Sequence, residues 1–116
     1  MLDLIIKNGK CYIDGELKHV DVAIKDGKIQ KIGQIQDESN DIVNAEGQIV
    51  LPGCIDTQTH FREPGSTDTE DLNSGSRAAI VGGITSVFEM PNTNPPTSTK
   101  TEFQKKLDLA KNRMYC

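Results

Sequence analysis

The feature that most constrains the fold of this chain is a change of pattern at Pro52-Gly53. Before it, short apolar stretches alternate with polar residues and are separated by Asn-Gly and Asp-Gly pairs, which is typical of β-hairpins. After it, apolar stretches are separated by segments with helical spacing, which is typical of strand–helix units and a parallel sheet. The sequence therefore predicts two regions, residues 1–51 and 52–116.

The first region is predicted to be a β module. Asp14-Gly15 and Asp26-Gly27 indicate two-residue hairpin turns, because both positions of such a turn need positive φ angles. Segments 41–44 and 48–51 flank Glu46-Gly47 and are predicted to pair with each other around it. One face of the resulting sheets is expected to be buried and the other hydrated.

The second region has the order β-α-β-α. We expect strands over 53–57 and 84–90, with a helix over 70–81 between them that Thr67, Asp68 or Thr69 caps and Gly82-Gly83 ends. A last helix begins after Thr99, with Glu102 completing a capping box. Its apolar stripe consists of Phe103, Leu107, Ala110 and Met114, and its lysines 100, 105, 106 and 111 are expected to face solvent.

Composition narrows the classes of partner. A net charge of −4 argues against nucleic acid, which needs clustered Lys and Arg. No apolar run approaches the length that crosses a bilayer. The three cysteines are widely spaced and odd in number, so we expect free thiols and a cytoplasmic protein, with Cys54 as a small buried apolar residue.

Residues 56–65 carry the densest group of reactive side chains, directly after the apolar run 49–55. If that run is a strand, Asp56, Gln58 and His60 point to the same side, and Arg62 keeps this parity beyond the strand end. The pattern predicts a site.

This segment resembles a motif of the amidohydrolase superfamily. Residues 56–60 are similar to its D-x-H-x-H metal motif, and residues 62–65 continue as R-E-P-G, as in the dihydroorotases. Residues 90–93 are similar to the M-P-N-T motif of the same family. The resemblance implies an α/β fold in which residues 1–51 form part of the composite β-sandwich and residues 52–116 the first two units of a (β/α)₈ barrel, an incomplete barrel since the full one needs about 250 residues.

The resemblance also implies roles for individual residues. His60 is expected to bind Zn²⁺ together with ligands beyond Cys116, where the catalytic base is also expected. Arg62 and Asn92 are expected to bind a substrate carboxylate, which suits a guanidinium fork and an amide donor. Asp56 either orients a metal ligand or supports the barrel interior by hydrogen bonding.

Gln58 departs from the motif, since it stands where the family has the first histidine. A neutral amide oxygen is a weaker zinc ligand than an imidazole. Three interpretations follow: an enzyme with a single metal held mainly by later ligands, a two-metal site in which Gln58 is a weak ligand, or a non-catalytic relative. The first is preferred because the rest of the motif is intact.

The resemblance thus implies the N-terminal portion of a dihydroorotase-like cyclic amidohydrolase, an enzyme expected to interconvert N-carbamoyl-L-aspartate and L-dihydroorotate in pyrimidine biosynthesis. The 116-residue chain alone is expected to be inactive, and exposed barrel edges are expected to favour homo-oligomers. One alternative is a non-catalytic homologue that acts in protein assembly. Another is an allantoinase- or hydantoinase-type enzyme, which Arg62 followed by M-P-N-T is expected to disfavour, since those substrates lack the carboxylate.

Overall fold

A computed structural model describes all residues from Met1 to Cys116. The chain forms two compact units, Met1–Pro52 and Gly53–Cys116. The first consists of seven strands, and the second of two strands and two helices. Neither helix has the length and apolar character that crossing a bilayer requires.

The first unit contains two small mixed sheets. One sheet has the strand order β5-β4-β1-β6 and the other the order β3-β2-β7. The strands are β1 (Leu2–Lys7), β2 (Lys10–Ile13), β3 (Glu16–His19), β4 (Asp21–Lys25), β5 (Lys28–Gly33), β6 (Ser39–Asn44) and β7 (Ile49–Val50). The buried cluster of the larger sheet is formed by Ile5, Ala23 and Ile35, with Leu2 packed against it.

The two Asp-Gly turns are where the sequence predicts them. Asp14 and Gly15 join β2 to β3 with φ angles of 53° and 85°, and Asp26 and Gly27 join β4 to β5 with φ angles of 51° and 69°. Two successive positive φ angles match the turn that follows the right-handed twist of paired strands. These hairpins are confirmed.

The predicted pairing of segments 41–44 and 48–51 is wrong. Instead, β6 lies parallel to β1 and β7 lies parallel to β2. The reason is that the backbone passes from one sheet to the other at Asn8-Gly9, between β1 and β2. Residues 45–48, between β6 and β7, follow the same path beside it. The N–H of Ala45 donates to the Lys7 carbonyl at 2.8 Å, and the N–H of Lys10 donates to the Gln48 carbonyl at 3.0 Å.

The second unit confirms the β-α-β-α order. Its elements are β8 (Cys54–Thr59), α1 (Leu72–Val81), β9 (Ile84–Glu89) and α2 (Lys100–Ala110), and β8 and β9 are parallel neighbours. The apolar run 49–55 is not one strand, because it is interrupted at 51–53, where Pro52 lacks a backbone N–H. Asp56 and Gln58 therefore lie within β8, whereas His60 lies just past its end.

Helix α1 begins two residues later than predicted. Its cap is Asp71, whose carboxylate accepts the N–H of Ser74 at 2.7 Å, while the Ser74 hydroxyl accepts the N–H of Asp71. This reciprocal capping box stabilises the first turn, so the predicted caps at 67–69 lie in the preceding turns. The predicted cap of α2 is confirmed, since Thr99 Oγ1 accepts the N–H of Glu102 at 3.2 Å.

Two burial predictions for this unit are wrong. Cys54 is exposed, because β8 has only one strand beside it and this part of its surface is uncovered. Lys106 is buried, because its ammonium group pairs with Glu89 at the end of β9. As expected, several large apolar side chains face solvent in the unit, among them Ile55, Val81, Phe88, Phe103 and Leu107.

Candidate functional site

The loop that follows β8 has two faces of opposite character. Along residues 60–63, His60 and Arg62 are exposed, whereas Phe61 and Glu63 are buried. Alternating orientation in extended backbone places neighbouring side chains on opposite sides. One side of the loop therefore presents an imidazole and a guanidinium, and the other side fixes the loop to the unit.

Phe61 provides the apolar part of this anchor. It is 5% exposed and packs on α1 at Gly75, where a Cβ atom would lie 2.5 Å from Phe61 Cδ1. Only glycine leaves room for the ring to approach the helix this closely. Burial of an aromatic ring against a helix fixes how deeply the loop sits.

Glu63 provides the polar part of the anchor. Its Oε1 and Oε2 accept two hydrogen bonds from the Arg113 guanidinium, at 2.8 and 3.0 Å, and Oε2 also accepts the N–H of Leu72 at 2.9 Å. The Arg113 hydrogen bonds are the main cause of a Glu63 pKa below its ordinary value, and they outweigh the opposing effect of burial. The carboxylate thus joins the loop to the first residue of α1 and to the segment after α2.

A second loop follows β9 and lies against the first. The N–H of Met90 donates to the Thr59 carbonyl at 2.8 Å, and the N–H of Asn94 donates to the Pro64 carbonyl at 3.0 Å. Gly65, with φ of 118°, is required at this crossing, because a Cβ atom there would lie 2.7 Å from the Asn94 carbonyl oxygen. The carboxyl ends of two adjacent parallel strands therefore lead into loops in direct contact.

His60 and Asn92 meet where these loops approach each other. The distance from His60 Nδ1 to Asn92 Oδ1 is 2.8 Å. Because a carboxamide oxygen only accepts hydrogen bonds, Nδ1 carries the proton in this arrangement and Nε2 keeps a free lone pair. A fixed tautomer with an exposed Nε2 is the state in which histidine binds a metal ion.

The other predicted site residues are placed differently. Asp56 Oδ1 accepts the N–H of Gln58 at 2.9 Å, so this carboxylate holds the backbone of its own strand. The side chains of Gln58 and Arg62 are exposed. Arg62 does not pair with Glu63, because the Glu63 carboxylate is already held by Arg113. Of the predicted group, the structure brings His60 and Asn92 into contact.

These residues carry donor atoms of kinds that zinc accepts. His60 offers an imidazole nitrogen, and Gln58 and Asp56 precede it in β8 as oxygen donors. The chain has no group of three or more His, Cys, Asp or Glu side chains placed to hold a metal ion together. Among these residues, His60 is the one whose ring is oriented by a hydrogen bond, and a full tetrahedral set is not present.

Sequence reasoning missed the residues that hold the loop from behind. Arg113 contacts Glu63 across 50 positions of sequence, and no local pattern indicates that pairing. Phe61 and Gly75 also meet across a long interval. The signal that was available is the alternation of polar and buried residues after β8, which places Phe61 and Glu63 opposite His60 and Arg62.

Comparison with known proteins shows the family to which the chain belongs. Residues 49–114 match the Amidohydrolase family, and the chain belongs to that family. Over 113 residues it is 44% identical to the allantoinase of Escherichia coli O1:K1 / APEC, an alignment that covers 97% of this chain and 25% of that protein.

Solved structures agree with the family assignment. The L-hydantoinase (dihydropyrimidinase) from Arthrobacter aurescens superposes with a TM-score of 0.88 at 33% identity, covering 98% of this chain and 26% of that one. The N-acyl-D-glutamate deacylase from Bordetella bronchiseptica, complexed with zinc and a phosphonate inhibitor, gives 0.58 at 27% identity, covering 74% and 18%.

The comparisons confirm the resemblance to the amidohydrolase superfamily. They leave the narrower resemblance to the dihydroorotases unconfirmed. The similar proteins include allantoinases and hydantoinases, which supports a cyclic amidohydrolase without confirming a dihydroorotase. The motif argument that disfavoured allantoinases is therefore unsupported. The chain spans about a quarter of the length of the curated relatives it matches.

Proposed function

We propose that this chain forms part of the active-site mouth of a cyclic amide hydrolase that opens hydantoin-type rings, with allantoin as the first candidate substrate. The observation that carries the proposal is the contact between His60 Nδ1 and Asn92 Oδ1 at the carboxyl ends of two adjacent parallel strands. Catalytic groups of barrel enzymes lie at this end of the strands. The similarity to allantoinase and hydantoinases supports the substrate class.

The residues at the mouth have different roles in the proposed reaction. When bound at Nε2 of His60, a zinc ion would supply Lewis-acid polarisation of the ring carbonyl and a more acidic water. Asn92 keeps the proton on Nδ1 and so holds the lone pair of Nε2 outward. Gln58 contributes at most a neutral amide oxygen, so the other ligands belong to parts of the protein outside these 116 residues.

Dihydroorotate remains a second candidate substrate because of Arg62. Its guanidinium is exposed beside His60 and is not used by Glu63. A free guanidinium fork binds a carboxylate with two parallel hydrogen bonds, and dihydroorotate carries such a carboxylate. With an uncharged hydantoin ring, the Arg62 guanidinium would donate a single hydrogen bond to a ring carbonyl oxygen.

A chimera tests the proposal on a complete protein. The segment of the E. coli allantoinase that aligns with this chain is replaced by the aligned 113 residues of this chain, and ring opening of allantoin, hydantoin and dihydroorotate is measured. We expect a folded chimera to hydrolyse allantoin faster than dihydroorotate. His60→Ala should lower the rate at least about 10-fold, the loss typical of disturbing a metal site.

His19→Ala is the matched control, since His19 is the other histidine of the chain and lies in the first unit. Equal rates for His60→Ala and His19→Ala would refute the role of His60. Preference for dihydroorotate would support the second candidate. A folded chimera that hydrolyses none of the three, while the parent allantoinase remains active, would support the non-catalytic alternative. Gln58→His should raise metal content if Gln58 stands at a ligand position.

The 116-residue chain by itself is expected to hydrolyse none of these substrates, since it offers a single oriented imidazole at the mouth. Metal-dependent ring opening by the purified chain would contradict this expectation.

A further inference from the structure

We infer that Glu63 is a positioning residue of the site: its buried carboxylate, held by Arg113 and by the N–H of Leu72, sets the orientation in which His60 meets Asn92. The importance of this orientation for hydrolysis rests on the function proposed above. The positioning itself is a property of the 116-residue chain.

The argument begins with the number and direction of the Glu63 contacts. Both carboxylate oxygens are used, in two parallel hydrogen bonds from one guanidinium and a third from a backbone N–H. Bidentate guanidinium–carboxylate pairs are directional, so they fix a rotation as well as a distance. Only two residues lie between His60 and Glu63, so a rotation of the Glu63 backbone is transmitted to the imidazole.

The apolar anchor alone does not fix that rotation. Phe61 packs on α1 at Gly75, and such a contact is non-directional. It holds the loop at a given depth while leaving the backbone free to turn about the ring. Glu63 supplies the directional restraint, and Arg113 is itself placed by a second carboxylate, since Asp71 Oδ2 lies 3.6 Å from its Nη2.

The contacts on the Asn92 side complete the restraint. The Pro64 carbonyl, next to Glu63, accepts the N–H of Asn94, and the backbones cross closely at Gly65. The loop that carries Asn92 is thereby tied to the residue that follows Glu63. Loss of the Glu63 contacts should disturb both partners of the His60–Asn92 hydrogen bond.

The test measures the tautomer of His60 by long-range ¹H–¹⁵N NMR in the metal-free chain, at a pH where the imidazole is neutral. Only two histidines are present, so His60→Asn assigns the signal. In the unaltered chain we expect His60 to carry its proton on Nδ1, as the contact with Asn92 requires. In Glu63→Gln this preference should be lost, and the ring should return to the tautomer mixture of a free imidazole.

Asp37→Asn is the matched control, because it makes the same carboxylate-to-amide change in an ion pair of the first unit. It should leave the His60 tautomer unchanged. If Glu63→Gln does not fold, Arg113→Lys replaces it, since lysine keeps the charge but lacks the fork, and a partial loss of the Nδ1–H preference is expected.

Three results would overturn the inference. One is a folded Glu63→Gln or Arg113→Lys chain with the unaltered tautomer, which would make Glu63 merely structural. The others are an unaltered chain without the Nδ1–H preference and an equal response in Asp37→Asn. Because the measurement needs neither metal nor substrate, an inactive chimera with the tautomer intact would refute the proposed function alone.

Discussion

Two ion pairs, one in each unit, differ in their exposure and in how far apart their residues lie in the sequence. In the first unit, Lys31 and Asp37 are 2.9 Å apart with side chains 54% and 52% exposed, and only a few residues separate them in sequence. In the second unit, Glu63 and Arg113 are 2.8 Å apart, with 8% of the Glu63 side chain exposed, and they join segments 50 positions apart. The first pair is an exposed contact between residues close in sequence, whereas the second fixes a buried carboxylate and joins two distant segments.

The candidate site lies next to the second of these pairs, since Glu63 belongs to the loop that carries His60. Exposed ion pairs contribute little, because solvent screens them and ordering the side chains costs entropy. A buried carboxylate left without its partner is costly, because it was removed from water. Phe61 and Leu72 are the only buried apolar side chains of the second unit, so each buried contact is a larger share of its stability.

The largest effect is expected from Phe61→Ala. Removing the ring leaves a cavity against Gly75 in α1, and such truncations cost about 3–5 kcal/mol. Native-state hydrogen exchange should show faster exchange at the Leu72 amide, while the Ile5 amide of the first unit is unaffected. Unchanged exchange at Leu72 would mean that Phe61 does not anchor the loop.

Glu63→Gln should have the next largest effect. The amide keeps the shape but has one acceptor oxygen and a donating nitrogen, so it cannot accept both hydrogen bonds from Arg113, and unsatisfied buried groups cost about 1–3 kcal/mol. The Leu72 N–H donates to this carboxylate, so its exchange reports the change directly. Exchange as slow as in the unaltered chain would place the stability of the loop elsewhere.

The same pair predicts a dependence on pH. The folded-state pKa of Glu63 lies below its ordinary value of 4.5, mainly because of the hydrogen bonds from Arg113. Its contribution to stability is therefore fully present above pH 4.5 and is lost as the pH falls through the lower folded-state pKa. Urea unfolding at decreasing pH should show a smaller acid-induced loss of stability in Glu63→Gln than in the unaltered chain. Equal slopes would contradict the pairing.

Asp37→Asn should have the smallest effect. The partner ammonium of Lys31 is exposed and is readily hydrated when the carboxylate is removed. No resolvable change is expected in the urea unfolding of the first unit or in the exchange of Leu72. A loss comparable to that of Glu63→Gln would mean that the exposed Lys31–Asp37 pair and the Glu63–Arg113 pair contribute equally to stability.

The fold follows from the sequence where its signals are local. The Asp-Gly pairs predict both hairpins because each turn needs only its own two φ angles, and the cap at Thr99 lies beside the helix it begins. The pairing of β6 with β1 and of β7 with β2 was not predictable in this way. The turn at Glu46-Gly47 is real, but whether its flanks pair with each other or with a neighbouring strand pair depends on distant residues.

The site shows the same division. The strand-end position of His60 and the proline-asparagine turn at Asn92 are visible in the sequence as elements of one edge of a parallel sheet. The contact between His60 and Asn92 depends on the geometry of the two loops, which the sequence does not show. The same holds for the hydrogen bond from the Gln58 N–H to the Asp56 carboxylate. The burial of Glu63 and Lys106 depends on partners in other elements, which periodicity does not reveal.

A double-mutant cycle on Glu63 and Arg113 tests most directly whether this pair holds the site-bearing loop. The free energy of unfolding of the second unit is measured for Glu63→Gln, Arg113→Met and the double variant. If the pair acts as a unit, the double variant will be less destabilised than the sum of the two single variants, since the second substitution removes a group already without its partner. Strictly additive losses would show that the two side chains stabilise the unit independently. The Glu63–Arg113 pair would then not hold the loop that carries His60.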